Sequence, residues 1–438
     1  MTHQAEQAFR TSTRRNFLKS TAITTGAIAL GLSNANAKRG DEGEQQGNLP
    51  KPQHSGIDHI VVVCMENRSF DHFAGWTRGA DGRQAGLVYR DNYGVAHPTY
   101  PLAPDYQGCG HPDPDHTYQG GRIEYNRGRC DGWLRAGQND QFAIGYYTPN
   151  DLPFFAGAAN AWTSCDRYFA PIMAGTYPNR FYLHAAQTDR LDNTLILSTL
   201  PTIWDRLAAH SLPAKYYFSD VPFLVLWGAK YLPIMNHISQ FYADCAAGTL
   251  PAVSYVDPRM LGEGEGLSNN DHPHADVRNG EAFLNDVYNA VVHSPNWPNT
   301  ILVITYDEWG GFFDHVAPQR APIPPATAAA GDTDGLRGFR VPTMIVAPWA
   351  PHGVSHTVFD HTSILNMIEW RWHLDPLTVR DATANNLAST LDFSQRRLSA
   401  PTFAVPTGPF GSICPPTTTS VPSDWDQLAA IAQQLGVI

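Results

Sequence analysis

Two short stretches share one construction. The apolar run Ile60-Val61-Val62-Val63-Cys64 leads into Glu66-Asn67, and "TILVITYDEWGG" (300–311) leads into Asp307-Glu308 and then glycines. If both runs are buried strands of one sheet, three carboxylates and an amide oxygen converge on a single edge. Left alone they would repel. A hard divalent cation removes that conflict, because it prefers oxygen ligands and its charge cancels theirs. One such pair alone is better read as a helix cap and a solvated acid. Two pairs built alike favour one bound divalent metal ion, with Glu66, Asn67, Asp307 and Glu308 as ligands; calcium, magnesium, manganese and zinc all stay open.

A third stretch, "AGTYPNRFYLHAAQT" (174–188), reads as a turn followed by a helix from Tyr177 to Gln187. Thr176 then falls at the N-cap, where its hydroxyl can accept a backbone N–H bond. The same helix end also attracts phosphate. A metal nearby would lower the hydroxyl pKa and make Thr176 a nucleophile.

These residues need a scaffold. A continuous β-branched run such as 60–64 suits a strand covered on both faces, and "VPTMIVAPWA" (341–350) reads as another. Helical patterns lie between, at Ala275 to Val292 and Ser363 to Trp372. Alternation of this kind predicts an α/β fold, an α/β/α sandwich with a mostly parallel central sheet. Ligands of such sheets sit beyond the carboxyl ends of the strands, where the acidic pairs fall. The stretch 80–160 is rich in Gly, Pro, Asp and Tyr and reads as long loop excursions. Its aromatics (Tyr89, Tyr93, Trp133, Phe142, Tyr146, Tyr147, Phe154, Phe155) are better read as packing than as a cage for a cationic head group. A Pro/Thr-rich tail, 401–438, ends in a short helix from Trp425 to Leu435.

Of six cysteines, Cys109 and Cys130 bracket a Gly-rich polar segment and could close it by a disulfide; Cys64 reads as a small core residue. No cysteine spacing suggests zinc.

The segments "MENRSFDHF", "GTYPNRFYLH", "NDHPHADVRNGEAFLNDVY", "ITYDEWGGFFDHV", "GFRVPTMIVAPWA" and "FDHTSIL" occur in this order. Together, over about 57–372, they resemble the bacterial phosphoesterase family of non-haemolytic phospholipases C and acid phosphatases. That family is similar in fold to alkaline phosphatase. The resemblance implies that the two acidic pairs bind metal and that Thr176 is the nucleophile. It also implies that His116, His272 and His315 contact the phosphoryl group or the leaving oxygen, with His274 an alternative register to His272. His361 falls in a family motif as well, as a residue at the substrate. Asn179 would either bond a phosphoryl oxygen or hold the turn. Arg68, Ser69, Asp71 and His72 would support the loop after the first strand and open the next helix. The implied reaction is metal-dependent hydrolysis of a phosphoric ester through a covalent phospho-enzyme. A phospholipase C acting on a diester is favoured over an acid phosphatase acting on a monoester. A catalytically inactive binder of phosphorylated ligands is the reading from another class.

Residues 1–37 stand apart. Thr13-Arg14-Arg15-Asn16-Phe17-Leu18-Lys19 matches the twin-arginine export pattern, followed by a mild apolar stretch and a small-residue cleavage site, Ala35-Asn36-Ala37. The expected partner is the twin-arginine export machinery and the expected destination the periplasm or beyond. The catalytic domain would then cover 38–400. The apolar stretch is too short for a stable membrane span. The chain has 438 residues and a formal charge of −11, and the first 37 carry four positive groups against Glu6, so the remainder is more acidic still. An acidic surface argues against nucleic acid as a partner. It leaves a phospholipid or a small phosphate ester as substrate.

Overall fold

The computed structural model describes residues 49–415 and 424–438, so the export segment read at 1–37 lies outside the described residues. An eight-stranded sheet organises the chain. In chain order its strands are β1 (His59–Met65), β2 (Thr163–Cys165), β3 (Ala214–Phe218), β4 (Met235–His237), β5 (Val253–Val256), β6 (Thr300–Tyr306), β7 (Met344–Val346) and β8 (Gly353–Ser355). Their spatial order is β8-β2-β7-β6-β1-β5-β3-β4. β1 is parallel to both β6 and β5, and β3 is parallel to β5 and β4. β7 runs against both of its neighbours, so the third apolar run is a strand but an antiparallel one.

The central strands read as they do because both faces are covered. Every residue of β6, and all of β1 after His59, is buried. Helices flank the sheet, among them α1 (Phe70–Ala74), α2 (Thr176–Ala185), α3 (Val277–Val292) and α4 (His361–Trp372). Asp276 caps α3 by accepting from Arg278 N, and an Asp360–Ser363 capping box opens α4 two residues before the expected start. The last helix spans Asp424–Gln434 and buries Trp425 and Leu428.

The 80–160 excursions pack onto this frame. Trp133, Phe142, Tyr147, Phe154 and Phe155 are buried, which agrees with packing rather than a cage. The disulfide is not the expected one. Cys109 bonds Cys414, 305 residues away in sequence, while Cys130 is a free, buried thiol. Cys130 O accepts from Trp133 Nε1 at 2.7 Å in a local turn.

Candidate active site

Register builds the centre. β1 and β6 pair in parallel from His59↔Thr300 to Met65↔Tyr306, so Glu66-Asn67 and Asp307-Glu308 leave the sheet side by side. Asp307 N donates to Met65 O at 3.1 Å across the seam. β5 ends in Asp257 beside them, a strand-end carboxylate of the same design that sequence reading passed over. All five residues are buried. The loop after β6 closes tightly. Gly310 has φ +63°, and a Cβ there would lie 2.2 Å from Asn67 O and 2.8 Å from Asn67 Oδ1, so only glycine fits.

α2 brings the hydroxyl. Gly175 is its N-cap and Thr176 its first residue, so the helix starts one residue earlier than expected and the Thr176 side chain does not cap it. Thr176 Oγ1 instead lies 3.5 Å from Glu66 Oε2. One turn on lies Arg180, to which the sequence reading gives no role. Its guanidinium reaches Glu66 Oε1 at 2.9 Å, Asp257 Oδ1 at 3.2 Å and Asp307 Oδ2 at 3.1 Å.

Asn179 holds the turn. Its Oδ1 accepts from Ile172 N at 3.1 Å, and its Nδ2 donates to Ala174 O at 2.6 Å and Gly175 O at 3.0 Å. With the side chain buried and both ends committed, the phosphoryl-binding alternative falls away. His361 is also corrected from a substrate contact to a support. It is fully buried between Tyr168 and the Asp307 carbonyl, with Nε2 2.9 Å from Asp307 O. Burial lowers its pKa to about 4, so it is neutral.

Two histidines complete the group. His116 Nδ1 lies 2.7 Å from Pro114 O, which turns Nε2 toward Glu308 Oε1 at 3.8 Å. Its Cδ2 is 3.6 Å from where a Cβ on Gly175 would sit, which places it over the Thr176 turn. His272 faces it, ring centroids 6.2 Å apart. His272 Nδ1 is 2.8 Å from Glu263 Oε2, and Nε2 is 3.6 Å from Asp113 Oδ2. His274 Nε2 lies instead 3.0 Å from His111 O, so of the two it is His272 that faces His116.

His315 belongs to another cluster. Its Nδ1 faces Asp71, its Nε2 lies 3.1 Å from Asp81, and Arg340 bridges Asp71 and Asp314 beneath it. The "DHF" and "FDHV" segments thus brace one another, and the structure joins His315 to Asp71 and Asp81 rather than to the acidic pairs after β1 and β6. The loop support read from the sequence is present. Ser69 caps α1 by accepting from His72 N and bonds Phe313 O, while Arg68 Nε donates to Asp271 O at 2.6 Å.

The charge balance shows what the centre lacks. Four buried carboxylates, Glu66, Asp257, Asp307 and Glu308, face one guanidinium. Burial and the neighbouring Glu66 hold the Asp307 pKa well above its ordinary value, and burial lifts Glu308 to about 7 despite His116. Asn67 Oδ1 and Glu308 Oε1 are both buried and neither accepts a hydrogen bond. A hard cation fits this set: it would satisfy the orphaned oxygens and offset the surplus charge. On the histidine side, burial opposes charge, but Glu263 and Asp113 outweigh it and raise His272 to about 10; Glu308 and Asp113 raise His116 likewise. His272 is a charged imidazolium at neutral pH.

A sheet that delivers acids at its strand ends, beside a helix N-terminus that carries a hydroxyl, is the frame of a phosphoryl-transfer enzyme. The chain belongs to the Phosphoesterase family, whose sequence profile matches residues 57–221 and 202–375, and it is a phosphoric-ester hydrolase. It is 31% identical over 462 residues to phospholipase C B of Mycobacterium tuberculosis, covering 87% of this chain and 86% of that one. It is 30% identical over 383 residues to non-specific phospholipase C1 of Arabidopsis thaliana, covering 77% and 72%. Among solved structures, the lipoteichoic acid synthase LtaP from Listeria monocytogenes superposes with a TM-score of 0.40 at 8% identity, over 87% of this chain and 90% of that one. A Vibrio parahaemolyticus protein of the alkaline phosphatase superfamily gives 0.38 at 10% identity, over 75% and 69%.

Proposed function

We propose that this enzyme is a metal-dependent phospholipase C that cleaves a phosphodiester through a phosphothreonine at Thr176. The observation that carries the reading is the position of the Thr176 hydroxyl, 3.5 Å from a strand-end carboxylate of a centre rich in buried acids. Glu66, Asn67, Asp307 and Glu308 would hold one divalent ion, which supplies charge neutralisation at the phosphoryl oxygens and lowers the hydroxyl pKa. Thr176 Oγ1 gives its proton to the facing Glu66 carboxylate and attacks phosphorus; the P–O bond to the alcohol breaks; His272 gives its proton to the departing alkoxide. Water then attacks phosphorus from the vacated side and gives a proton back to His272, and the P–Oγ1 bond breaks as Thr176 Oγ1 recovers its proton from Glu66. Arg180 holds Glu66 and Asp307 in place and tempers their repulsion. The diester preference rests on the relatives, which are named phospholipases C.

The deciding experiment is a paired assay of purified protein on p-nitrophenyl phosphorylcholine and p-nitrophenyl phosphate. Turnover of the first over the second supports the phospholipase reading, and the reverse makes it a phosphomonoesterase. Activity on neither, with divalent metal supplied, leaves an inactive binder of phosphorylated ligands.

We also propose that residues 1–37 direct the chain to the periplasm or beyond by the twin-arginine route. Among the described residues no helix is long and apolar enough to cross a membrane. Fractionation of cells that express the Arg14→Lys/Arg15→Lys variant tests the route. Retention in the cytoplasm at precursor length supports it, and mature protein in the periplasm rejects it.

A further inference from the structure

We propose that Glu263 is a positioning residue for His272, fixing the imidazole so that its Nε2–H points to the leaving oxygen. This rests on the reading above in which His272 serves the leaving group. Glu263 opens a short turn, Glu263–Glu265, that has no other evident task. Both of its oxygens are committed to the His272 segment. Oε2 lies 2.8 Å from His272 Nδ1, and Oε1 accepts from Asn270 Nδ2 at 3.0 Å. The same Asn270 amide accepts from His272 N at 3.0 Å through its Oδ1, so one side chain bridges the acid and the backbone of the base. Arg68 clamps the backbone from the other side, with NH2 3.2 Å from His272 O. The His272 backbone is thereby fixed, and Nδ1 lies within ion-pair distance of Glu263. Nε2 is left facing Asp113 and His116 on the site side.

The Glu263 turn is itself held from outside the catalytic frame. Cys414 N donates to Gly264 O at 2.7 Å, and Gln107 Nε2 reaches both Glu263 O at 3.3 Å and Ser412 O at 2.8 Å. The Cys109–Cys414 disulfide then ties this C-terminal segment to the loop that leads to Asp113 and His116. Both halves of the histidine pair are braced by one strap.

A carboxylate behind a histidine fixes its tautomer and direction and favours its charged form. If Glu263 acts in this way, its loss should matter where the leaving group needs a proton and not where it leaves unaided. The test compares two phosphorylcholine esters, p-nitrophenyl and n-hexyl, or the matching monoesters if the enzyme prefers them. Glu263→Gln keeps an oxygen for Nδ1–H and removes the charge. Turnover of the hexyl ester should fall at least about tenfold while the p-nitrophenyl ester stays within about twofold. His272→Gln should lose turnover on both esters and more on the hexyl ester, and the double variant should be no worse than His272→Gln alone. Equal losses on both esters, no loss on either, or additive losses would overturn the assignment. Should Glu263→Gln not fold, Glu263→Asp decides by the same comparison. A wild type inactive on both esters would sink the hydrolase mechanism itself, an outcome distinct from equal losses in the variant.

Discussion

Thr176 and Arg180 take opposite oxygens of a single carboxylate: Thr176 Oγ1 lies 3.5 Å from Glu66 Oε2, and Arg180 NH2 lies 2.9 Å from Glu66 Oε1. The two residues are one helical turn apart, so α2 presents both on the face turned to the strand ends. Glu66 is thus the joint between the hydroxyl and the guanidinium that balances the acids.

This geometry separates two roles for Thr176. A cap lost to alanine costs about 1 kcal/mol. Thr176 is not the cap, since Gly175 holds that position, so Thr176→Ala should leave the melting temperature nearly unchanged. Turnover should fall roughly 10³-fold or more in both Thr176→Ala and Thr176→Asn, and Thr176→Ser should keep much of it. Phosphate found on Thr176 by mass spectrometry after an acid quench would show the intermediate. A folded Asn variant close to wild-type turnover would sink the nucleophile.

Arg180→Ala leaves Glu66, Asp257 and Asp307 in the interior without the guanidinium they share. Removing one partner of a buried ion pair costs about 3–5 kcal/mol. The variant should melt well below the wild type, and added divalent metal should recover part of the difference by supplying positive charge at the same carboxylates. Metal-independent stability in this variant would count against a shared centre.

How much of this was legible before folding differed from residue to residue. Glu66, Asn67, Asp307 and Glu308 could be read because each pair follows an apolar β-branched run, and register then places them together. Asp257 was built the same way but follows a run of only four residues, Val253–Val256, too short to stand out. Arg180 was hidden by its type: a buried arginine is recognised only once the three acids around it are known. His361 and His315 show the opposite error. Histidines in motifs look reactive in sequence, yet one supports the Asp307 backbone and the other cross-braces two loops. The Cys109–Cys414 pairing joins ends 305 residues apart, and nothing local announces it.

That disulfide should matter to both stability and turnover. Closing so long a loop is worth roughly 5–6 kcal/mol in the chain-entropy picture. The Cys109→Ser/Cys414→Ser variant should melt lower and lose turnover, because the strap that holds the Glu263 turn is released. Cys130→Ser should leave the cross-link in place, as a non-reduced peptide map would show. Recovery of a Cys109–Cys130 peptide would refute the pairing.

Asp307→Asn removes one charge from the proposed metal set and one partner from Arg180. Metal content of the purified variant should fall together with activity while the fold persists. Wild-type protein that is purified with less than one metal per chain, and keeps its activity in chelator, would end the metal reading.

Glu369 gives a pH signature far from the site. It is nearly fully buried on α4, and burial, reinforced by the facing Asp381 carboxyl, raises its pKa from the ordinary 4.5 to about 10. Asp381 accepts from Leu377 N at 2.7 Å and Thr378 N at 2.8 Å, which fixes its carboxyl beside Glu369. Between these two pKa values the folded chain holds a proton that the unfolded chain has released. Stability therefore falls as pH rises through that window, and the group costs nothing below its unfolded value. Glu369→Gln is neutral in both states and escapes this cost. The variant should match the wild type near pH 4.5 and exceed it by up to about 3 kcal/mol at pH 7, with the gap still growing at pH 8. Urea unfolding at these three pH values measures it. A gap that does not change with pH, or a Gln variant weaker than the wild type at pH 8, would show that Glu369 is ionised in the fold.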